Sequence, residues 1–263
     1  MRTVDPRVRS KLAWPAYVLG ILAVFTYSLN SIAEGTVSKG EKFARDIVEK
    51  ADRVRFPPGG FQVDVAIANF NNGQAGDVRR YRVLSKGNEN TVVMITEPAA
   101  ERGQIILMKD RDLWVFLPKV SQPVRLALSQ RLTGEVSNGD IARANFAGDY
   151  MPRVVRTEQI GNETFYVLEL TAADRGVTYR RVMYWVNQKT FQPHKAEFYS
   201  LSNRLLKTCR YEGYQNMAGA LRPSRLVMDD ALRQGEQSVL EYSGMVPRNL
   251  PDKIFTKDYL KRL

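Results

Sequence analysis

The sequence predicts a mainly β protein, built as one large curled antiparallel sheet of about eleven strands with an N-terminal helix. Three observations predict this class. Apolar and polar residues alternate with a period of two over most of the chain after residue 60. Short turns rich in Gly, Asn and Asp join these stretches, and turns of that length connect only antiparallel neighbours. A sheet of this size twists and curls, so its concave face needs an apolar cover.

The N-terminus has the layout of an export signal. Basic residues precede an uncharged run at 12–33 that ends in small residues, so we expect cleavage after Ala33 and assign residues 1–33 to a signal peptide. The alternative is an uncleaved anchor, since the run approaches the roughly 20 residues that cross a bilayer. Both alternatives export residues 34–263, which predicts a periplasmic location. The basic residues are Arg2, Arg7, Arg9 and Lys11.

The charge balance is basic, at +11 for the whole chain and +8 after removal of residues 1–33. A basic surface attracts nucleic acid, anionic lipid head groups or acidic partners, and a solvated basic face explains the same balance. The charges are scattered along strands without a basic run, and export separates the chain from nucleic acid. A single cysteine, Cys209, excludes an intramolecular disulfide and is predicted to be a small buried apolar side chain. We expect a monomer held together by burial alone.

The first predicted element is an amphipathic helix over residues 40–55 that ends before Pro57. Its apolar face is predicted from Phe43, Ile47, Val48, Ala51 and Val54, with the charged residues on the opposite face. Alternation then predicts strands at residues 61–68, around 81–83, and at 90–96, 103–108 and 113–117.

The second half repeats this pattern after one interruption. The segment of residues 129–151 is long, contains glycine and shows weak periodicity, with a short helix predicted near 141–145. A connection of this length is often functional, for example as a lid. Residues 255–263 predict a short helix with Thr256 as its N-cap. Strands are predicted at 154–160, 164–171, 177–187, 193–200, 204–214, 222–229 and 237–246.

Catalytic and metal chemistry have little support in the sequence. The chain has one histidine, His194, and contains no HExxH, GxSxG or CxxC motif and no phosphate-binding glycine loop. We therefore predict no enzyme activity, no cofactor and no metal site.

Aromatic residues on both faces of the predicted strands are consistent with two interpretations. Tyr184 and Trp185 are neighbours and must point to opposite faces. Ordinary core packing explains such a pattern, and so does a ligand pocket. For a pocket, Arg102 and Arg125 are predicted to contact a head group or an acidic partner. The candidate wall residues are Val65, Ile67, Leu107, Trp114, Phe116, Leu168, Met183, Trp185 and Phe198.

Several motifs between residues 97 and 150 resemble those of the LolA-like outer-membrane lipoprotein-sorting family. Pro98 and the pair Arg102-Gly103 precede an apolar strand, and a strand containing Trp114 ends at Pro118. Ser129-Gln130-Arg131 and the late Leu250-Pro251-Asp252 also resemble the family. One departure is Asn138-Gly139-Asp140, where the family usually shows glycine-serine-aspartate.

The resemblance implies an open or half β-barrel over residues 34–263, with helices covering its concave face. It also implies a periplasmic carrier of lipid or lipoprotein acyl chains, with partner proteins at the inner or outer membrane. The alternative hypothesis is an adaptor or sensor module that uses the same fold to bind a membrane exporter or regulator without transporting lipid.

Overall fold

The computed structural model describes residues 38–87, 89–143 and 145–260. The predicted signal peptide and the last three residues of the predicted C-terminal helix lie outside these ranges. Across the described ranges, no helix is long and apolar enough to cross a membrane.

Fifteen strands form within the described residues. The predicted class, an open half-barrel of antiparallel strands, is confirmed, but the predicted count of about eleven is low because three strands have only two or three residues and show no periodicity. The strands are β1 (Gly60–Asn71), β2 (Gln74–Lys86), β3 (Asn90–Glu97), β4 (Ile105–Lys109), β5 (Asp112–Phe116), β6 (Val124–Leu126), β7 (Arg131–Thr133), β8 (Val136–Ser137), β9 (Tyr150–Ile160), β10 (Glu163–Ala172), β11 (Arg181–Asn187), β12 (Pro193–Tyr199), β13 (Leu205–Met217), β14 (Ala220–Asp230) and β15 (Glu236–Pro247).

Thirteen of these strands make one antiparallel sheet in the order β6-β5-β4-β3-β2-β1-β15-β14-β13-β12-β11-β10-β9. The first and last strands of the described residues, β1 and β15, pair in the middle of the sheet, with Val65 opposite Tyr242. Strands β6 and β9 are the two edges, so the sheet is not closed into a barrel. Strands β7 and β8 form a separate small hairpin.

The predicted N-terminal helix is confirmed as α1 (Lys39–Arg55). It starts at a capping box, in which Ser38 and Glu41 satisfy each other's backbone N–H groups. The shorter helices are α2 (Asn138–Ala142), α3 (Phe146–Asp149) and α4 (Lys257–Leu260), with 3₁₀ turns at Ala99–Glu101 and Asp252–Phe255.

The buried face of α1 differs from the predicted apolar face. Phe43 is 49 % exposed, whereas the charged residues Asp52 and Arg55 are each only 6 % exposed. The expectation that all charges lie opposite the apolar face was therefore wrong for these two. The inward stripe consists of Ala44, Ile47, Val48, Ala51, Asp52 and Arg55.

The main core lies on the concave face of the sheet, under α1 and the long predicted lid. We use the name lid for residues 127–149, which connect β6 to β9 and contain β7, β8, α2 and α3. The predicted short helix forms at α2 and α3 rather than at 141–145. The lid contributes Leu128, Val136, Ile141, Ala142 and Ala147 to this core.

Close approach of the lid to β1 and to the segment before β11 depends on two glycines. A Cβ on Gly139 would lie 2.1 Å from Oγ1 of Thr178. Gly134, with a φ of +49°, turns so tightly over β1 that a Cβ would lie 1.9 Å from Oδ1 of Asn69. Larger residues at either position would push the lid away from the sheet.

The predicted strand at 177–187 is shorter in the structure and begins at Arg181. Val177 and Tyr179 are buried in the concave core instead of continuing the strand. The Tyr179 hydroxyl donates to Asp140 Oδ2 at 2.8 Å, so this segment turns inward to contact the lid.

The convex face has two smaller apolar clusters. Residues Leu250, Phe255 and Leu260 of the C-terminal segment cover β3, β4 and β5. The predicted N-cap is present there, because Thr256 Oγ1 accepts from the Tyr259 N–H at 3.3 Å. The second cluster, on β9 to β12, includes Phe165, Val167, Met183 and Trp185.

Candidate functional site

The predicted wall residues are divided between the two faces of the sheet. Val65, Ile67, Leu168 and Phe198 lie in the concave core. The other five lie on the convex face, because strand alternation turns them away from α1 and the lid. Leu107, Trp114 and Phe116 pack in the cluster covered by the C-terminal segment, and Met183 and Trp185 pack in the second convex cluster.

The two arginines predicted to contact a head group or an acidic partner are exposed, but each already has a polar partner within the protein. Arg102, between β3 and β4, donates to the Thr96 carbonyl at 3.2 Å. Arg125, on the edge strand β6, forms an ion pair with Asp112. The structure therefore does not place either arginine at the concave core.

The concave core is closed and well packed. One cavity of about 10 Å³ is lined by Phe56, Val65, Ile141 and Tyr242, among others. A second, of about 20 Å³, lies between Arg55 of α1, the lid and the sheet. Each has room for about one water molecule, so a hydrocarbon chain could enter either of them only after the lid or α1 moves.

Two polar contacts join α1 to the lid, and both involve the backbone of Ala147. The Ala147 N–H donates to Asp52 Oδ2 at 2.9 Å, and the Ala147 carbonyl accepts from Arg45 at 2.5 Å. Burial raises the pKa of Asp52 to about 7, against the opposing effects of Arg55 and of N–H groups of the lid. The carboxyl of Asp52 therefore titrates near neutral pH.

Arg55 lies on the inner face of α1 among aromatic rings. Its guanidinium is 4.4 Å from the ring centre of Phe146 in the lid and 5.8 Å from that of Tyr211 on β13. Its ion pair with Asp52 is long, at 3.4 Å. A cation held mainly by ring faces is stabilised less than one in a close carboxylate pair.

The lid is held to itself and to the β4–β5 turn by Asp149. Arg143 forms an ion pair with Asp149, with Nη2 2.6 Å from Oδ1, and also donates to the Asp110 carbonyl at 2.6 Å. Arg111 donates to Asp149 from the sheet side at 3.1 Å. Both side chains of the Arg143–Asp149 pair are less than a tenth exposed, so they stabilise the closed position through short charge-assisted bonds.

A second buried polar group fixes the other end of the lid. Asp140 of α2 accepts from Lys207 of β13 at 2.6 Å and from Tyr179. Lys207 also donates to the Glu135 carbonyl of the lid at 2.5 Å. Burial raises the pKa of Tyr179 well above its usual value, so its hydroxyl remains a donor to Asp140.

These buried charged residues were not predicted from the sequence, although helical spacing indicates the burial of two of them. Asp52 follows Val48 by four positions, and Arg55 follows Ala51 by four, so helical spacing places both on the apolar face. No comparable signal identifies Asp140 or Asp149, because the lid has no regular period and its contacts are distant in sequence.

Three carboxylates meet near the outer end of the lid, but a cation already occupies their centre. Glu135, Asp230 and Glu236 have carboxylate oxygens within 4.8 Å of one another. Arg233 lies 3.0, 2.9 and 2.9 Å from these three groups respectively. The Arg233 guanidinium therefore pairs with all three carboxylates at the point where a metal ion would sit.

Two turns at one end of the sheet expose apolar side chains. Leu201, between β12 and β13, is 84 % exposed, and Leu232, between β14 and β15, is 51 % exposed. Successive antiparallel hairpins bring both turns to the same end, and the Ala231 N–H donates to the Leu206 carbonyl at 3.0 Å to join them. Arg204 is exposed next to them. We call Leu201, Leu232 and Arg204 the rim.

Comparison with known proteins finds similar structures over most of the chain. The crystal structure of a LolA superfamily protein from Nitrosomonas europaea is 65 % identical, with a TM-score of 0.79, and the match covers 82 % of this chain and 98 % of that one. A family model described as an uncharacterized protein matches residues 87–262. No curated protein matches the chain.

Two more distant structures share the fold. A DUF1329 family protein from Desulfovibrio piger is 20 % identical, with a TM-score of 0.72 and coverage of 85 % of this chain and 100 % of that one. An outer membrane lipoprotein-sorting protein domain from Vibrio parahaemolyticus is 21 % identical, with a TM-score of 0.70 and coverage of 84 % and 100 %. At these identities the likeness establishes the fold alone.

Proposed function

Because the chain belongs to the LolA superfamily, we propose that it is an exported, periplasmic carrier that binds lipid or lipoprotein acyl chains in outer-membrane lipoprotein sorting. Residues 1–33 would direct export, and inner- and outer-membrane proteins would deliver and receive the cargo. The protein would act by binding rather than by catalysis and would need no cofactor.

The observation that carries this proposal is the construction of the concave face. It is a continuous apolar surface across the half-barrel, and its cover over the middle of the sheet is a lid attached by polar side chains. A lid of this kind can leave the sheet without unfolding it, because the strand pairings do not include it. The surface uncovered would suit a hydrocarbon.

The free energy of burying an acyl chain is similar in size to that of burying the apolar side chains of the lid. The lid buries three large apolar side chains, Leu128, Val136 and Ile141, each contributing about 1.5–3 kcal/mol. An acyl chain contributes about 0.8 kcal/mol for each methylene buried. A chain of about ten methylenes therefore offsets the loss of these three apolar contacts, though not the loss of the lid's polar contacts.

A photoreactive acyl chain tests the site. We expect a diazirine-bearing fatty acid to label the concave residues Val65, Ile67, Leu168 and Phe198 or their neighbours, in competition with excess unlabelled fatty acid. The convex residues Leu107, Met183 and Trp185 serve as internal controls in the same digest. Labelling that resists competition, or that is confined to the convex peptides, would contradict the carrier.

The closed core favours a second candidate function, the adaptor or sensor module. The two cavities beneath α1 and the lid are only about 10 and 20 Å³. The larger cavities, of about 210 and 390 Å³, lie at the outer end of the lid and are lined largely by polar residues. The exposed rim would then bind the membrane partner. Native mass spectrometry of the purified protein distinguishes the two, since a carrier retains lipid and an adaptor does not.

A further inference from the structure

The guanidinium of Arg55 has few hydrogen-bond partners for a buried cation, and it lines the cavity of about 20 Å³. It is 6 % exposed, and among the described residues its side chain has one hydrogen bond, to Asp52 at 3.4 Å. A guanidinium carries five N–H donors, and burial of unpaired donors costs free energy. The aromatic rings around it stabilise its positive charge by cation–π contacts but accept no strong hydrogen bond.

A buried hydroxyl donor lies among the same rings. Tyr184 on β11 is fully buried, and its hydroxyl has no hydrogen-bond partner among the described residues. Its ring centre lies 5.4 Å from that of Phe146 and 6.1 Å from that of Tyr211. Both of these rings also contact the Arg55 guanidinium.

The two donors match a carboxylate. A carboxylate presents two acceptor oxygens in a plane, which a guanidinium fork and one hydroxyl can bind together. We propose that Arg55 and Tyr184 bind the carboxylate head of a single-chain fatty acid whose hydrocarbon lies along the concave face. This inference rests on the proposed acyl-chain function and adds the head group to it.

The lid controls access to this pair of donors. Phe146 of α3 lies over the guanidinium, and Ala147 next to it holds Asp52 through its N–H. Opening of the lid would remove the ring from Arg55 and the N–H from Asp52 in one movement. In the closed state Asp52 is a weak internal substitute for the carboxylate of the guest.

Displacement of a neutral acyl-site probe tests the inference. N-phenyl-1-naphthylamine carries no charge, so its displacement by dodecanoate and by methyl dodecanoate at pH 8 compares two guests that differ at the head. We expect dodecanoate to displace it at a concentration at least about 10-fold lower, since a charge-assisted hydrogen bond is worth more than 1.4 kcal/mol.

Two conservative variants test whether the preference for dodecanoate depends on the proposed Arg55–Tyr184 site. Tyr184→Phe removes the hydroxyl and keeps the ring, and we expect the preference for dodecanoate to fall at least about threefold. Tyr81→Phe is the matched control. The Tyr81 hydroxyl is also buried, but it lies near Arg79 and Glu101. The preference of the Tyr81→Phe variant for dodecanoate over its methyl ester should equal that of the unmodified protein.

The possible failures are distinguishable. Equal displacement by the acid and its ester would overturn the carboxylate site and leave the acyl carrier standing. Equal effects of the two tyrosine variants would remove Tyr184 from the site. If neither guest displaces a bound probe, both the carboxylate site and the carrier function are contradicted.

Discussion

A single carboxyl, that of Asp52, connects α1 to the lid. It accepts from the Ala147 N–H and from Arg55, in surroundings from which water is almost excluded. Burial penalises its charged form more than these partners stabilise it, and the nearby Asp149 acts in the same direction, so the pKa rises to about 7. The ionised group is therefore a source of instability in the closed protein.

This shift predicts how stability depends on pH. The pKa of Asp52 is raised in the folded protein, so its contribution to stability is complete below about pH 4 and is lost as pH rises through about 7. Replacement by Asn removes the titration. We expect the free energy of unfolding of the native protein, relative to Asp52→Asn, to fall by about 2–3 kcal/mol between pH 5 and pH 8.

Urea unfolding of both proteins at several pH values measures this difference. Other titrating groups are common to both and cancel. The exposed Asp46, which pairs with Lys50 on the outer side of α1, provides the control variant Asp46→Asn. A difference between native and Asp52→Asn proteins that stays constant over this range would show that Asp52 is ionised throughout.

At the scale of elements, the lid is attached to the half-barrel differently from a strand. Its hairpin β7–β8 pairs only with itself, and its helices have four and five residues. Helices this short are not stable alone, so buried ion pairs and a few apolar side chains hold the lid in place. Local opening should therefore require less free energy than global unfolding.

Weakening one ion pair should open the lid selectively. Arg143→Gln removes the fork to Asp149, and we expect amide hydrogen exchange in residues 138–149 to accelerate about 10-fold or more, because charge-assisted bonds of this kind are worth about 1.5–3 kcal/mol. Exchange in β1 and β15 at the centre of the sheet should not change.

Arg153→Gln is the matched control for this experiment. Arg153 also pairs with a carboxylate, Glu169 at 2.9 Å, but its side chain is 70 % exposed, and exposed pairs contribute little. Its exchange profile should match the native one. Uniform acceleration across the sheet in Arg143→Gln would instead mean that the lid and the sheet open as one unit.

At the scale of the whole molecule, both faces of the sheet carry apolar clusters. The concave face is covered by α1 and the lid, and the convex face of β3 to β5 is covered by the C-terminal segment. If the lid moves to admit a guest, the convex cluster can keep the sheet folded.

Removal of one large side chain from the C-terminal segment tests this role. Phe255 is 3 % exposed in the convex cluster, and Phe255→Ala should lower the free energy of unfolding by about 3 kcal/mol or more. Leu201→Ala changes an 84 % exposed residue of the rim and should stay within about 0.5 kcal/mol of the native protein. Equal urea midpoints for the two variants would rule out a stabilising C-terminal cover.

Much of the fold was predictable because its signals are local. The period of two along each strand, the short turns and the helical spacing of α1 are properties of neighbouring residues, and the structure confirms the open antiparallel sheet and α1. The burial of Cys209 follows from the same alternation, and burial raises the pKa of its thiol to about 12.

The candidate site was only partly predictable from those signals. Alternation shows that Trp185 and Tyr184 face opposite sides but does not show which side is concave. The structure places Tyr184 under the lid and Trp185 on the outside. For the same reason, five of the nine proposed wall residues fall on the convex face.

The sequence by itself determined the class of fold, the positions of most elements and the absence of known catalytic motifs, because each depends on residues close together in the chain. Only the tertiary structure decided which face α1 and the lid cover and how closely the core is filled. Contacts such as Asp140 with Lys207 and Asp52 with Ala147 join residues 67 and 95 positions apart. Such pairs form only when the sheet has curled, so no local pattern records them.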